Sequence, residues 1–413
     1  MVGSLFWHAP RWLVPVLTLI LAGFYLFVGF AYGPIFTSDG MRDLAYARVL
    51  VDLNFAPGAY LAEVEDRTGR PLSVPLQFYM GYVYVLAVLE RLLGDRWLEG
   101  LVVFNALAYA ISSGLILMVI QTTLRSVFSI VLAAGFLALA FDGYQWVAMS
   151  QSTAMFMPVA TAVLFFGTRA MTSDTGWPWW GLAVFGLAIA VITRPTWPPV
   201  AATVLLLGLV SLSEQFEFGK NFRGWKIVFL AASIGGVGLV AITALGYLNP
   251  TIIPVSFLRE FAEYWRSTYE TGVVVYDRPG TYLTPDTAWW GFARLELARL
   301  GYFFWFLADD FSPAHQWLNI SGHVPLYGLA LIGGFFVLRR PQELSRIAVT
   351  TGLAAMMYLL IIDVFHAVTF LDYDWRYRAP AYPWIIFLAA IGGTKLVAAW
   401  TGGPTNTISD RGS

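Results

Sequence analysis

A carboxylate stands where the first apolar segment of this chain ends. Asp39 follows residues 12–32 and begins a polar stretch that runs through Tyr46 into the pair Ala47-Arg48. An acid at a membrane surface is well placed to accept the proton of a hydroxyl group held at the lipid interface. We therefore predict that Asp39 is a general base. Because Asp is also a favoured first residue at helix N-termini, capping of a helix that begins near Gly40 is the alternative.

The residues that follow Asp39 supply a second acid and a cation. Asp43 lies one helical turn after Asp39, with Arg42 between them. A second carboxylate could act as a nucleophile, but this spacing favours a role in orienting Arg42 or capping the helix. We predict that Arg42, Asp43 and Tyr46 contact the substrate of Asp39.

Three arginines could bind a phosphate group. Arg194, Arg376 and Arg378 are the basic residues of the short loops on the side of the membrane that we predict to be external. Guanidinium groups bind phosphate through two parallel hydrogen bonds and stay charged when partly desolvated. The alternative is that they only reach lipid headgroups and anchor helix ends.

Further candidates are a histidine and an aromatic pair. His366 follows Asp363 near a helix end and could bind an acceptor or a metal ion, although a lone histidine also serves structural roles. Tyr264 and Trp265 belong to an amphipathic stretch and could stack on a substrate ring or chain. Aromatic residues also form the interface belt of membrane proteins, which is the competing interpretation.

The composition predicts an integral membrane protein. Of 413 residues, 58% are hydrophobic and 12% are charged, and the mean hydropathy is +0.65. No soluble packing scheme hides so much apolar surface. The formal net charge of -1 argues against a nucleic-acid partner, which would require a basic face. The absence of cysteine excludes disulfides, thiolate metal sites and a cysteine nucleophile.

The apolar segments predict an all-α, multi-pass bundle of about ten crossings in a single domain, residues 1–400. The spans are 12–32, 100–121, 126–141, 154–171, 178–193, 197–213, 227–247, 323–338, 345–362 and 380–400. If residues 75–93 do not cross, the basic loops share the cytoplasmic side with both termini, as the positive-inside rule requires. Two long outer segments, 33–99 and 248–322, then face outside. We predict a disordered cytoplasmic tail at 401–413.

Three short motifs resemble the GT-C superfamily of polyprenyl-phosphate-sugar-dependent glycosyltransferases. The spacing of Asp39 to Ala47-Arg48 resembles the first-loop motif of that superfamily, and Thr193-Arg194-Pro195 resembles the end of one of its helices. The stretch Arg376-Tyr377-Arg378-Ala379-Pro380 resembles the segment that opens the last core helix in bacterial members. Those members are related to protein O-mannosyltransferases and to the aminoarabinose transferase of lipid A.

The resemblance implies a GT-C-type bundle in the bacterial inner membrane with a periplasmic active site. The expected reaction moves a sugar from a polyprenyl-phosphate donor to a lipid-linked glycan or other acceptor. In that reaction Asp39 is the base, and Arg194, Arg376 and Arg378 bind the departing phosphate. A single base with direct displacement predicts inversion at the anomeric carbon.

The chain departs from the family pattern at two places that concern a metal. Relatives continue the acid as Asp-Glu, whereas this chain has Asp39-Gly40, and an acid of the second loop is replaced around Gln151-Ser152-Thr153. A hard divalent cation needs several oxygen ligands. We therefore assign no metal ligands, while a divalent cation stays an option because relatives use one.

Two alternative functions use the same residues differently. An O-antigen polymerase or ligase also combines outer-loop arginines with lipid-linked donors, but it would not need the acid of the first loop. A lipid or glycolipid transporter would use Asp39 and the arginines as a headgroup path. Transporters place ionisable residues near the membrane centre, whereas Asp142, Asp309 and Asp310 lie near predicted helix ends.

Overall fold

The computed structural model describes residues 9–56, 59–68, 79–194, 196–215, 251, 259, 273–274, 282–283, 297–307, 311–369 and 377–401. The helices within these ranges are α1 (Leu13–Tyr32), α2 (Ser38–Asp52), α3 (Tyr60–Thr68), α4 (Met80–Leu93), α5 (Trp97–Leu124), α6 (Val127–Leu139), α7 (Phe141–Tyr144), α8 (Thr153–Thr172), α9 (Trp177–Thr193), α10 (Pro198–Gln215), α11 (Pro313–Arg339), α12 (Arg346–Thr369) and α13 (Tyr382–Thr401). Residues 297–303 are also helical. Strands β1 (Val273–Val274) and β2 (Tyr282–Leu283) form a two-residue antiparallel pair.

The protein is an all-α, multi-pass membrane protein, as its composition predicts. Within the described ranges, 6 helical runs are long and apolar enough to cross a membrane, and a bent pair formed by α6 and residues 142–148 raises the number to 7. The 6 runs are Leu13–Tyr32, Met80–Leu124, Thr153–Thr172, Pro313–Arg339, Arg346–Ala367 and Ala379–Thr401. Two shorter apolar helices, Trp177–Thr193 and Pro198–Ser211, lie between them.

The predicted spans coincide with helices wherever the structure describes them. The span predicted at 227–247 and the tail predicted at 401–413 lie outside the described residues, apart from Thr401 itself. The predicted helix 126–141 ends early, because the backbone bends by 72° between Leu139 and Asp142. This bend brings Asp142 into the bundle, where it is fully buried.

Helices α11 and α13 cross where neither carries a side chain. A Cβ atom at Gly333 would lie 2.0 Å from the backbone oxygen of Leu388, and one at Gly392 would lie 2.0 Å from that of Leu329. Small residues allow such close backbone approach between membrane helices. The reciprocal contact fixes the middle of α13 against the C-terminal half of α11.

One end of the bundle carries six basic residues that lie close together in space, and we call it the basic end. It consists of Arg125, Arg169, Arg339, Arg340, Arg346 and Lys395, each at or near a helix terminus. Two contacts join these termini: the Lys395 ammonium donates to the Glu343 backbone oxygen, and the Ser345 hydroxyl donates to that of Thr123 at 3.4 Å. Helices α1, α6, α9 and α12 start at this end and run to the opposite one.

Helix α4 lies on the opposite end and runs beside α2. The Arg42 guanidinium of α2 lies 5.2 Å from the ring centre of Tyr79, and Arg48 pairs with Glu90 at 2.9 Å, so the two helices are parallel. Past the end of α4, Trp97 packs on Phe36, which follows α1. Together α4 and α5 form one apolar run of 45 residues, Met80–Leu124, and the placement of residues 75–93 on one side of the membrane stays a prediction.

Candidate functional site

A small cleft, partly open to solvent, lies at the end of the bundle opposite the basic end. Its walls are Asp39, Asp43, Tyr79, Gln151, Ser152, Thr153 and Arg194. The first turn of α2 and the residue before α4 form one wall. The segment that enters α8 and the residue that follows α9 form the other. Asp39 and Arg194, which are separate candidates in the sequence, thus face the same space.

A short parallel backbone pairing holds the two walls together. Ile35 and Met149 form an isolated β-bridge, and the Ile35 amide donates to the Ala148 oxygen at 2.7 Å. The side-chain amide of Asn105, which is fully buried in α5, donates to the backbone oxygens of Val147 and Met149 at 3.0 Å each. These bonds place the start of α2 directly beside the residues that lead into α8.

Gly40 is required where α2 meets the opposite wall. A Cβ atom at this position would lie 1.8 Å from the Ser150 hydroxyl oxygen and 2.5 Å from the Ser150 backbone oxygen. Thr37 also bonds Ser150, through its hydroxyl at 3.1 Å and its amide at 3.3 Å. A glutamate after Asp39, as in the family pattern, would not fit this contact. Glycine at position 40 thus has a steric cause.

Thr37, and not Asp39, caps α2. The Thr37 hydroxyl accepts a hydrogen bond from the Gly40 amide at 3.0 Å. Asp39 lies in the first turn of the helix, where a negative charge is favourable. The alternative interpretation of Asp39 as the cap is therefore wrong, and its carboxylate lies in the wall of the cleft.

Arg42 joins the two acids of α2. Its guanidinium donates to Asp39 at 3.2 Å and to one Asp43 oxygen at 2.8 and 2.9 Å. Burial opposes the charged form, but the charges of Asp43 and Asp39 and the hydrogen bond to Asp43 outweigh it and raise the pKa of Arg42. The Asp43 side chain is 2% exposed and that of Asp39 is 32% exposed. Asp43 thus orients Arg42, and Asp39 is the acid that solvent reaches.

Arg194 is a buried cation in the opposite wall. It is 3% exposed, its guanidinium donates to the Thr153 hydroxyl, and it lies over the ring of Tyr377 at 5.2 Å from the ring centre. Among the residues that the structure describes, no carboxylate lies within ion-pair distance of Arg194. A buried charge without a counter-charge is unfavourable, so an anionic ligand would be stabilised here.

Several buried polar atoms near Arg194 could accept or donate a further hydrogen bond. Within the described ranges, the Gln151 side-chain oxygen and the hydroxyls of Thr196, Tyr109 and Tyr358 have no hydrogen-bond partner. The charge of Arg194 is close enough to act on both phenols. Such groups are costly unless a polar partner meets them. The surroundings of Arg194 therefore suit a ligand rich in oxygen atoms.

Arg378 lies in a different cluster. It is fully buried, it donates to Asp142 at 2.9 Å, and it also bonds the backbone oxygens of Phe303 and Trp305. The imidazole of His323 lies 3.9 Å from the same Asp142 carboxylate. Arg378 is not part of the cleft wall, and its charge is neutralised within the protein.

The remaining predicted site residues fall into two groups. Tyr46 and His366 are both buried: Tyr46 packs among the apolar residues of α2 to α4, and His366 stacks between Phe303 and Tyr377. Neither lines the cleft. Arg376, Tyr264 and Trp265 lie outside the described residues.

The acids of the cleft are held by an arginine rather than gathered for a metal. Across the described ranges, no group of three His, Asp or Glu side chains is close enough to share a metal ion. Both Asp39 and Asp43 are bound to Arg42. We therefore derive no chemical step through a divalent cation.

Four wall residues were not predicted as site residues. Tyr79 gives no signal in the sequence, because it is one aromatic among many that flank helices. Gln151, Ser152 and Thr153 attract attention only as the place where the family pattern has an acid. Their contribution depends on the pairing of Ile35 with Met149, which brings two loops together that are distant in the chain.

Known proteins offer no relative from which a function could be transferred. The chain matches no protein-family model, and neither the curated proteins nor the solved structures give a match. The chemistry of the cleft is therefore the basis on which a function can be assigned.

Proposed function

We propose that the protein is an inverting membrane glycosyltransferase. It would move a sugar from a polyprenyl-phosphate donor to a lipid-linked glycan or other acceptor at the periplasmic face of the bacterial inner membrane. The observation that carries the proposal is the meeting of Asp39 and Arg194 in one cleft. A partly exposed acid then faces a buried cation that has no carboxylate partner among the described residues.

The two residues match the two charges that develop in this transfer. The acceptor hydroxyl oxygen bonds to the anomeric carbon, its proton passes to Asp39, and the bond from that carbon to the phosphate oxygen breaks. The electron pair leaves with the polyprenyl phosphate, whose charge Arg194 neutralises. A general base contributes on the order of 100- to 10000-fold in rate.

The environment of Asp43 supports a single displacement. A retaining enzyme would need a second carboxylate as nucleophile at the anomeric carbon. The Asp43 side chain is 2% exposed, and one of its oxygens accepts two hydrogen bonds from Arg42. This leaves Asp39 as the acid available to the substrate, and one acid acting as base gives inversion.

The distribution of charge supports an external cleft. The basic end lies across the bundle from Asp39, and basic residues in short loops favour the cytoplasmic side. The arginines between Arg42 and Arg96 belong to the segment 33–99, which is too long for its charges to set the orientation. The cleft would then open at the periplasmic surface, where the headgroup of a lipid-linked donor lies within reach. A cleft at a helix end also suits an enzyme better than a transporter, whose ionisable sites lie near the membrane centre.

The test measures transfer from a radiolabelled polyprenyl-phosphate sugar in membranes that contain the protein. Asp39→Asn should lower the rate on the order of 100- to 10000-fold. The matched control is Asp52→Asn, at the exposed far end of the same helix, which should leave the rate unchanged. An unchanged rate in Asp39→Asn would overturn the assignment of the base.

Two other results would overturn the proposal itself. Transfer from a pyrophosphate-linked oligosaccharide, with none from the monophosphate donor, would identify a polymerase or ligase. Movement of labelled lipid between leaflets without a new glycosidic bond would identify a transporter.

A further inference from the structure

A column of flat groups leads from the bundle core to Arg194. The rings of Phe303 and His366 stack at 5.9 Å between centres with 20° between planes, and those of His366 and Tyr377 at 4.6 Å and 29°. The Arg194 guanidinium lies 5.2 Å from the ring centre of Tyr377. Each member comes from a different segment, so the column forms only when the helices pack.

The cluster of Arg378 and Asp142 holds the far end of this column in place. Arg378 adjoins Tyr377 in the chain and donates to the Phe303 backbone oxygen at 3.2 Å. Its ion pair with Asp142 holds it in the core at 2.9 Å. Arg378 thus fixes the backbone at both Phe303 and Tyr377, with His366 stacked between their rings.

At the end of the column nearest the cleft, the surroundings of Arg194 hold its guanidinium in one orientation. The face of an aromatic ring carries negative charge density and attracts a guanidinium lying over it. The Thr153 hydroxyl accepts from one terminal nitrogen of Arg194. Ring face and hydroxyl together fix the guanidinium in the wall of the cleft.

We propose that Tyr377 is a positioning residue that acts on the donor phosphate through Arg194. This proposal rests on the proposed function, because it takes the phosphate of the donor as the ligand of Arg194. Tyr377 is buried and is not part of the cleft wall, so it does not itself contact the substrate. Its ring face, not its hydroxyl, carries the effect.

The test compares Tyr377→Phe with Tyr377→Leu in the transfer assay. The phenylalanine variant keeps the ring face and should retain the wild-type KM for the donor. The leucine variant loses the face and should raise that KM about tenfold, with a smaller change in kcat. A phenylalanine variant as impaired as the leucine variant would overturn the role of the ring face.

A double-mutant cycle with Arg194→Gln separates positioning from a general packing role. If Tyr377 acts through Arg194, Tyr377→Leu has no further effect on the donor KM in the Arg194→Gln background. Additive effects would overturn the proposal. Size-exclusion profiles in detergent show which variants fold, and Tyr377→Met replaces the leucine variant if that variant does not.

The outcomes also separate this proposal from the proposed function. A wild-type protein that transfers no sugar from any polyprenyl-phosphate donor contradicts the proposed function. A wild-type protein whose transfer depends on Arg194, but whose donor KM is unchanged by Tyr377→Leu, contradicts the positioning role alone.

Discussion

Two buried arginines of this protein have their charges stabilised in different ways. Arg378 is fully buried and donates to the Asp142 carboxylate at 2.9 Å. Arg194 is 3% exposed, and its guanidinium contacts a hydroxyl and an aromatic face. Both come from short loops that the sequence marks as phosphate-binding candidates. Burial alone does not distinguish the two arginines, whereas the presence or absence of a carboxylate partner among the described residues does.

The difference assigns the two clusters separate tasks. A buried ion pair that also satisfies backbone oxygens, as Arg378 does, ties the bend after α6 to the start of α13. A buried cation in the wall of a cleft, as Arg194 is, favours an anion from outside. If this division is correct, substitution of one arginine should affect mainly stability and substitution of the other mainly activity.

The largest expected effect is on stability, in Arg378→Met. The change leaves the Asp142 carboxylate buried without its guanidinium, which costs about 3–5 kcal/mol. Thermal unfolding in detergent measures it, and Arg340→Gln at the exposed basic end is the control. Asp142→Leu combined with Arg378→Met should recover most of the loss. An Arg378→Met variant as stable as the wild type would contradict the structural role of Arg378.

Arg194→Met should have the opposite profile. Removal of a buried cation that has no carboxylate partner among the described residues should leave the melting temperature unchanged or higher. Transfer activity should fall on the order of 100- to 1000-fold, as expected when a group that stabilises developing charge is lost. Both are measured on the same purified sample. Unfolding as severe as that of Arg378→Met would abolish the distinction between the arginines.

The sequence predicts the helices of this protein better than the contacts between them. Apolar length alone identifies α1, α8 and α12, because a span is a local property of the chain. The proximity of Asp39 and Arg194 follows only in part, since sequence places both on one side of the membrane but not in one cleft. The pairing of Arg378 with Asp142 depends on the 72° bend after α6. No local sequence pattern predicts this bend.

Gly40 tests how accurately the acid must be placed opposite Arg194. In Gly40→Ala the new methyl group would lie 1.8 Å from the Ser150 hydroxyl oxygen, so the start of α2 must shift away. A displacement of about 1 Å can cost on the order of 100-fold in rate, and we expect that loss in kcat/KM. Gly23→Ala in α1 is the control, because its methyl group meets nothing within 4 Å. Equal activities would show that the spacing between the walls is not critical.

The smallest effect is expected at an arginine that is paired but exposed. Arg67 bonds Asp52 and Glu63 on the outer surface of α2 and α3, where water competes for all three charges. Arg67→Gln should therefore change neither the melting temperature nor the rate of sugar transfer measurably. A large loss of activity would mean that any arginine on this side of the bundle matters, for example by attracting anionic lipid. If Arg67→Gln transfers sugar at the wild-type rate and Arg194→Met does not, the loss of activity is specific to Arg194, the buried arginine that has no carboxylate partner among the described residues.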